Sequence, residues 1–199
     1  MIPILGIVGG IGSGKSLVAE AMVALGGHLI SADQFGHDAL RELDIREKLI
    51  DRWGGTILDH QGNPDRKKIG RIVFADAVEL RALEAVVFRY IEKQILAEIA
   101  RAQARRDVKF IVLDAAILFE TGWSSHCDRI FFVEAPRETR LARLKEKRGW
   151  DEAELDRREK MQMPLDEKKA RADAVIVNDA GPEKVLPQVQ DALVRWKMI

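Results

Sequence analysis

The feature that most constrains this chain is a loop close to its amino end. An apolar run, Ile2-Pro3-Ile4-Leu5-Gly6-Ile7-Val8, leads directly into Gly9-Gly10-Ile11-Gly12-Ser13-Gly14-Lys15-Ser16, and a helical pattern follows from Lys15 to Leu25. Glycine, four intervening residues, then Gly-Lys-Ser is the Walker A spacing. Glycines permit the positive φ angles that turn successive N–H groups toward one point. The helix that follows directs its positive dipole end at the same point. Lys15 is long enough to reach β- and γ-phosphates, and the Ser16 hydroxyl suits Mg²⁺. The flanks match as well as the letters, which separates this stretch from an ordinary glycine-rich turn.

A buried strand running into such a loop and helix predicts an α/β fold with a parallel sheet. Four apolar runs read as its strands: Ile2 to Val8, Phe110 to Leu113, Ile130 to Val133 and Ala174 to Val177, with His28-Leu29-Ile30 as a weaker fifth. Core helices are expected from Lys15 to Leu25 and from Pro182 to Trp196. The 199 residues fit one domain with insertions, its core covering about 1–32, 107–135 and 171–199. A helical insertion spans about 33–106, with a turn at Gln61-Gly62-Asn63-Pro64 and a long helix from Ala77 to Arg106. A charge-dense insertion spans about 136–170.

Bulk composition excludes more than it selects. Lys plus Arg and Asp plus Glu are 32 each, so no global field favours nucleic acid or a membrane surface. No apolar run approaches the roughly 20 residues that span a bilayer. Cys127 is the single cysteine, so neither an internal disulfide nor a cysteine cluster for zinc is available, and a cytoplasmic setting is expected. The four histidines have no metal-ligand spacing.

Parallel sheets bind ligands at the carboxyl ends of their strands, so chemistry is sought there. Asp33 follows the Leu29-Ile30 strand. It reads either as the group that takes a proton from an attacking hydroxyl or as the N-cap of a helix starting near Gln34. Asp114 closes Phe110-Ile111-Val112-Leu113 and reads as a magnesium ligand or as a strand-end turn residue. Glu120 is a second polar candidate a few residues on. Arg137, Arg140 and Arg143 recur every third residue after the fourth strand, close to one helix face. Such a stripe suits bidentate contact with phosphoryl oxygens, or a solvated helix face. Arg105-Arg106 is expected to mark a helix carboxyl end.

Taken together these residues resemble dephospho-CoA kinases. The resemblance rests on Gly9 to Ser16, Ala32-Asp33, Gly62 through Arg66 with Ile72-Val73-Phe74, Asp114 with Leu118-Phe119-Glu120, and Gln162, Lys168, Ala172-Asp173 and Val177-Asn178. It implies a three-layer P-loop kinase with a five-stranded parallel sheet, a helical acceptor-binding insertion and a lid. The implied reaction moves the γ-phosphate of ATP to the ribose 3′-hydroxyl of dephospho-CoA with Mg²⁺. The implied catalytic residues are Lys15, Asp33 as base, and Arg140 from the lid. ATP contacts are expected from Gly10, Ile11, Gly12, Ser13, Gly14, Lys15, Ser16 and Leu17, with Arg143 and, near the adenine, Asn178. Acceptor contacts are expected from Arg66, Arg89, Asp114, Leu118 and Glu120, and metal contacts from Ser16 and Asp114.

The chain departs from the family pattern at three points. Phe88-Arg89 stands where a His-Pro pair is usual, and Arg89 is a cationic replacement. Ala116-Ile117 replaces a usual proline, and Ser16-Leu17 replaces Ser-Thr in the loop. Two other readings stay open at this level: a P-loop kinase for another small acceptor such as a nucleoside monophosphate, and a nucleotide-binding regulatory module without turnover. Partners are expected to be small molecules only, with the protein a monomer or weak homo-oligomer.

Overall fold

A computed structural model describes residues 1–199. Its centre is a five-stranded parallel sheet: β1 (Ile4–Gly9), β2 (Gly27–Ser31), β3 (Phe110–Asp114), β4 (Arg129–Glu134) and β5 (Ala174–Val177), in the order β2-β3-β1-β4-β5. All five expected strands are present. β1 is central because it is buried along its whole length, so both faces must be covered. From it the chain crosses to the edge strand β2, returns inward to β3, then passes β1 to reach β4 and the other edge, β5. That reversal places the end of β1 at a topological switch point, where open α/β sheets bind ligands.

Two helices close one face of the sheet: α1 (Lys15–Ala24) and α9 (Pro182–Arg195). Leu5, Ile7, Val112, Phe131 and Val133 pack there with Val18, Met22, Val185, Val189 and Leu193 in one buried cluster. The edge strand β5 is protected on its open side by Gln188. That side chain accepts from Val177 N–H at 2.9 Å and donates to Val177 C=O at 2.9 Å, imitating a neighbouring strand.

The chain divides into two compact units, Met1–Ser31 with Glu98–Ile199, and Ala32–Ala97. The second contains α2 (Ala32–Ala39), α3 (Leu43–Trp53), α4 (Arg66–Val73) and most of α5 (Ala77–Gln103). Its interior is aliphatic: Leu49, Ile57, Ile69, Val73 and Ile95 are nearly or wholly buried. The expected turn is there, with the Asp59 carboxylate accepting from the N–H groups of Gln61 and Asn63 at 2.9 and 2.8 Å.

The boundary near residue 106 falls earlier than the sequence pattern suggests. The last residues of α5 belong to the sheet unit because Gln103 pairs with both backbone groups of Ile2, at 2.8 and 2.7 Å. The helix then stops at Gln103, so Arg105 does not sit on its last turn. Its guanidinium forks instead onto the Asp107 carboxylate, at 3.1 and 2.6 Å. The charge-dense insertion forms α6 (Arg137–Arg148), α7 (Glu152–Glu159) and α8 (Leu165–Ala170), and it belongs to the sheet unit.

Candidate active site

Gly12 and Gly14 take φ of 79° and 87°, the left-handed values that turn the backbone of the loop. At both positions space forbids a side chain as well. A Cβ on Gly14 would lie 2.2 Å from Asn178 Nδ2, and one on Gly12 would lie 2.9 Å from the Arg140 carbonyl oxygen. Sequence spacing alone carries no sign of these neighbours.

The loop is braced from behind by two residues expected to touch nucleotide. Asn178 follows β5 and is 1% exposed. Its Nδ2 donates to Ser13 C=O at 2.8 Å. Arg143 donates to the same carbonyl at 3.2 Å through Nη1, and to Asn178 C=O at 3.1 Å through Nη2. Holding that carbonyl backward helps fix the orientation of the neighbouring amides before any anion arrives. Side chains of Asn178 and Arg143 therefore support the loop through its backbone.

Helix α6 carries the arginine stripe, and its members do different things. Arg140 is 4% exposed; its Nη1 donates to Ile11 C=O at 3.2 Å and is paired with the Glu159 carboxylate. Its Nε is buried without a hydrogen-bond partner. Arg137 points away from the loop to Glu152, Asp156 and Glu159 of α7, and these carboxylates hold its guanidinium above the usual pKa. Glu159 thus joins two arginines, a role for which the charge-dense segment offered no sequence signal.

Lys15 begins α1 and is half-buried, with no carboxylate paired to it. Ser16 is exposed beside it, while Leu17 packs against the hydrophobic core. That apolar contact explains why a second hydroxyl is dispensable to the fold there. Ser13 is 1% exposed, with an unpartnered hydroxyl.

Asp114 ends β3, in register with Ile7 of β1 and Ser31 of β2. Leu118 has no exposed surface and lies over Gly6, where a Cβ would meet its Cδ2 at 2.6 Å. It packs in the core in this structure. Glu120 is partly exposed, and its Oε1 accepts from Lys168 Nζ at 2.8 Å and from Met163 N–H at 2.9 Å. Trp123 is 3% exposed and serves packing.

In the helical unit, Asp33 is the second residue of α2, which begins at Ala32. It is exposed and lies inside the first turn, so it is not the helix N-cap. One turn on, His37 has its pKa lowered, chiefly by burial and then by the Arg66 charge, with Asp33 opposing. Arg66 opens α4 and is exposed; Arg89 is exposed on α5.

A model of the dephospho-CoA kinase family matches residues 3–184. The chain belongs to the dephospho-CoA kinase family. A dephospho-CoA kinase from Carboxydothermus hydrogenoformans is 36% identical over 198 residues, covering 99% of this chain and 96% of that protein. A solved Thermus thermophilus structure aligns with TM-score 0.81 and 32% identity over 98% of this chain and 97% of that one. A dephospho-CoA kinase from Campylobacter jejuni, 23% identical, aligns with TM-score 0.69 over 97% and 96% and bears on the fold alone. The chain is therefore a kinase on an α/β phosphate-loop fold. No helix is long and apolar enough to cross a membrane.

A dephospho-CoA kinase implies a divalent metal with its nucleotide. No three His, Cys, Asp or Glu residues gather into a metal-binding group. Magnesium with a nucleotide keeps waters and phosphate oxygens and asks only one or two oxygens of the protein. An exposed hydroxyl at Ser16 and a strand-end carboxylate at Asp114 fit that requirement.

Proposed function

We propose that the protein phosphorylates the ribose 3′-hydroxyl of dephospho-CoA with ATP, giving CoA and ADP, the last step of coenzyme A synthesis. The reading rests on one observation above the others. A phosphate loop braced from behind by Arg143 and Asn178 occurs in a chain that matches dephospho-CoA kinases along almost its whole length.

In the proposed reaction the amides of Gly12 to Ser16 receive the β-phosphate, and Lys15 donates to β- and γ-oxygens. The Ser16 hydroxyl and Asp114 carboxylate are the residues to hold Mg²⁺, which when bound screens charge on the phosphate oxygens. The acceptor oxygen forms a bond to the γ-phosphorus as the bond to the β–γ bridging oxygen breaks, and ADP leaves. Asp33 orients the hydroxyl and takes its proton. Arg140 meets the charge on the transferring group, exchanging Glu159 for phosphate oxygen. Residues 32–97 receive the acceptor, with Arg66 and Arg89 as cationic groups. The α6–α8 segment covers the phosphates and keeps out water, a competing acceptor. We assign the enzyme to the cytoplasm, where ATP is the available donor.

An ADP-release assay tests this. Release by the unaltered protein should depend on dephospho-CoA. Asp33→Asn should lose most of the rate while ATP still binds. Release stimulated by a nucleoside monophosphate and not by dephospho-CoA would overturn the acceptor assignment.

A further inference from the structure

One charged group in the sheet unit is buried more completely than any other and has no part in the reaction above. Lys168, on α8, has no exposed surface. Its ammonium donates to Ala116 C=O at 2.7 Å, to Glu120 Oε1 at 2.8 Å and, more weakly, to Gln162 Oε1 at 3.4 Å. Glu120 Oε1 also accepts from the backbone N–H of Met163. One ammonium and one carboxylate oxygen thus join two segments that are remote in sequence: the turn after β3, and the residues that lead into α8.

One segment borders the phosphate loop, and the other adjoins the strand end at Asp114. Ala116 lies two residues beyond Asp114. On the other side, α8 packs on β1, and Leu165 Cδ1 would lie 3.2 Å from a Cβ placed on Gly10. Lys15 is close enough for its charge to disfavour that of Lys168. A buried ion pair is a costly way to fill space, since well-packed apolar residues do as well or better for stability. Its distinguishing property is geometry: a saturated ammonium fixes the relative height of the groups that bind it.

We propose that Lys168 is a positioning residue for phosphoryl transfer, holding the Asp114–Glu120 turn in register with α8, which borders the phosphate loop. This rests on the kinase reading given above. Lys168 touches neither ATP nor acceptor in this assignment. It acts through Ala116 and Glu120 on the strand-end carboxylate, and through Leu165 on the loop at Gly10.

A double-mutant cycle of Lys168→Met and Glu120→Gln in the full chain tests the assignment, reading kcat, KM for both substrates and the stoichiometry and affinity of ATP binding. Methionine keeps the length of the lysine stem without the charge. Each single variant should lower kcat at least about tenfold while binding one ATP with affinity within about threefold of the unaltered protein. Because both residues act through one tie, the double variant should fall no further than the slower single variant, within about threefold. A lysine that only stabilises the fold would instead lower the ATP-competent fraction and leave kcat per bound nucleotide unchanged, and that result overturns the proposal. Losses that multiply in the double variant overturn it too, since Glu120 would then act separately. Should Lys168→Met not fold, the double variant strands no charge and is read against Glu120→Gln: equal kcat supports the tie, and unaltered kcat in both rejects it. Absence of dephospho-CoA-dependent ADP release in the unaltered protein is a different failure, which removes the functional reading itself.

Discussion

The loop at Gly9–Ser16 and the segment at Gln162–Ala170 each carry a lysine, and the two are treated in opposite ways. Lys15 is half-buried and paired with no carboxylate, whereas Lys168 is sealed from solvent among three oxygen acceptors. The contrast follows from what each must do. An ammonium that receives phosphate should not have to abandon a partner first, because breaking a good ion pair subtracts from binding. An ammonium that holds segments together must be saturated, because an unpaired buried charge costs several kcal/mol. The arginines divide the other way, since Arg140, proposed to meet phosphate, holds a carboxylate that it must exchange and Arg143 braces the loop from behind. Arg143 donates to neutral oxygens, so its positive charge is uncompensated locally, while Arg140 is held by Glu159.

The comparison breaks if the two lysines respond alike to truncation. Lys15→Ala should reduce kcat on the order of 10³-fold or more with little change in melting temperature, since the side chain stabilises charge only when phosphate is present. Steady-state kinetics beside a thermal melt checks this. Lys168→Met should show a stability loss as well, of about 1–3 kcal/mol, moderated because Glu120 is partly exposed and keeps its bond to Met163. Urea unfolding measures it. Equal stability losses in both variants would remove the distinction.

The same contrast accounts for what the sequence made legible. Lys15 belongs to a local motif, so its spacing from Gly9 and Gly14 reveals its place. The five strands were readable because burial on both faces writes each one as a short apolar run. Arg140 and Arg143 were found as a stripe because helix periodicity puts them on one face, but their different partners, Glu159 and Asn178, come from α7 and from the end of β5. Lys168 and Glu120 lie 48 positions apart by residue number, and no local pattern connects them. The packing of Leu118 over Gly6 is likewise invisible locally, because nothing near Leu118 in sequence records that Gly6 on β1 leaves a space for it. Local chemistry was visible, and tertiary pairing was not.

Two milder substitutions sharpen the picture of the loop's surroundings. Asn178→Ala removes a wholly buried brace and leaves Ser13 C=O with Arg143 alone. It should cost about 1–2 kcal/mol of stability and raise KM for ATP several-fold, roughly fivefold, through a loosened loop. KM for dephospho-CoA should stay put. Glu159→Gln works in the other direction. Neutralising the carboxylate on Arg140 makes the loop region more positive, so affinity for ATP should rise about threefold at low salt, and the gain should shrink as salt is added. Titration at two ionic strengths checks both parts, and weaker binding in this variant would mean that Glu159 is needed to hold Arg140 in place.

The smallest effect comes from comparing Lys168 with Cys127, a half-buried thiol beside β1. The Cys127 thiol would lie 3.0 Å from a Cβ on Gly6, and burial, reinforced by Asp128, pushes its pKa from 9.0 up to about 12. Lys168 moves the other way, lowered from 10.5 by burial with Glu120 opposing. Their contributions to stability at alkaline pH therefore have opposite signs. An unfolded thiol ionises near pH 9.0 while the folded one keeps its proton, so the Cys127 contribution is complete below 9.0 and is lost as pH rises toward about 12. The folded lysine releases its proton before the unfolded one, so the burial cost at Lys168 is relieved as pH approaches 10.5. Urea unfolding across this range should show a shallower alkaline loss in Cys127→Ala and a steeper one in Lys168→Met than in the unaltered protein. Parallel curves for all three would mean that neither group changes its proton affinity on folding, and burial of the Lys168 ammonium would then carry no electrostatic cost.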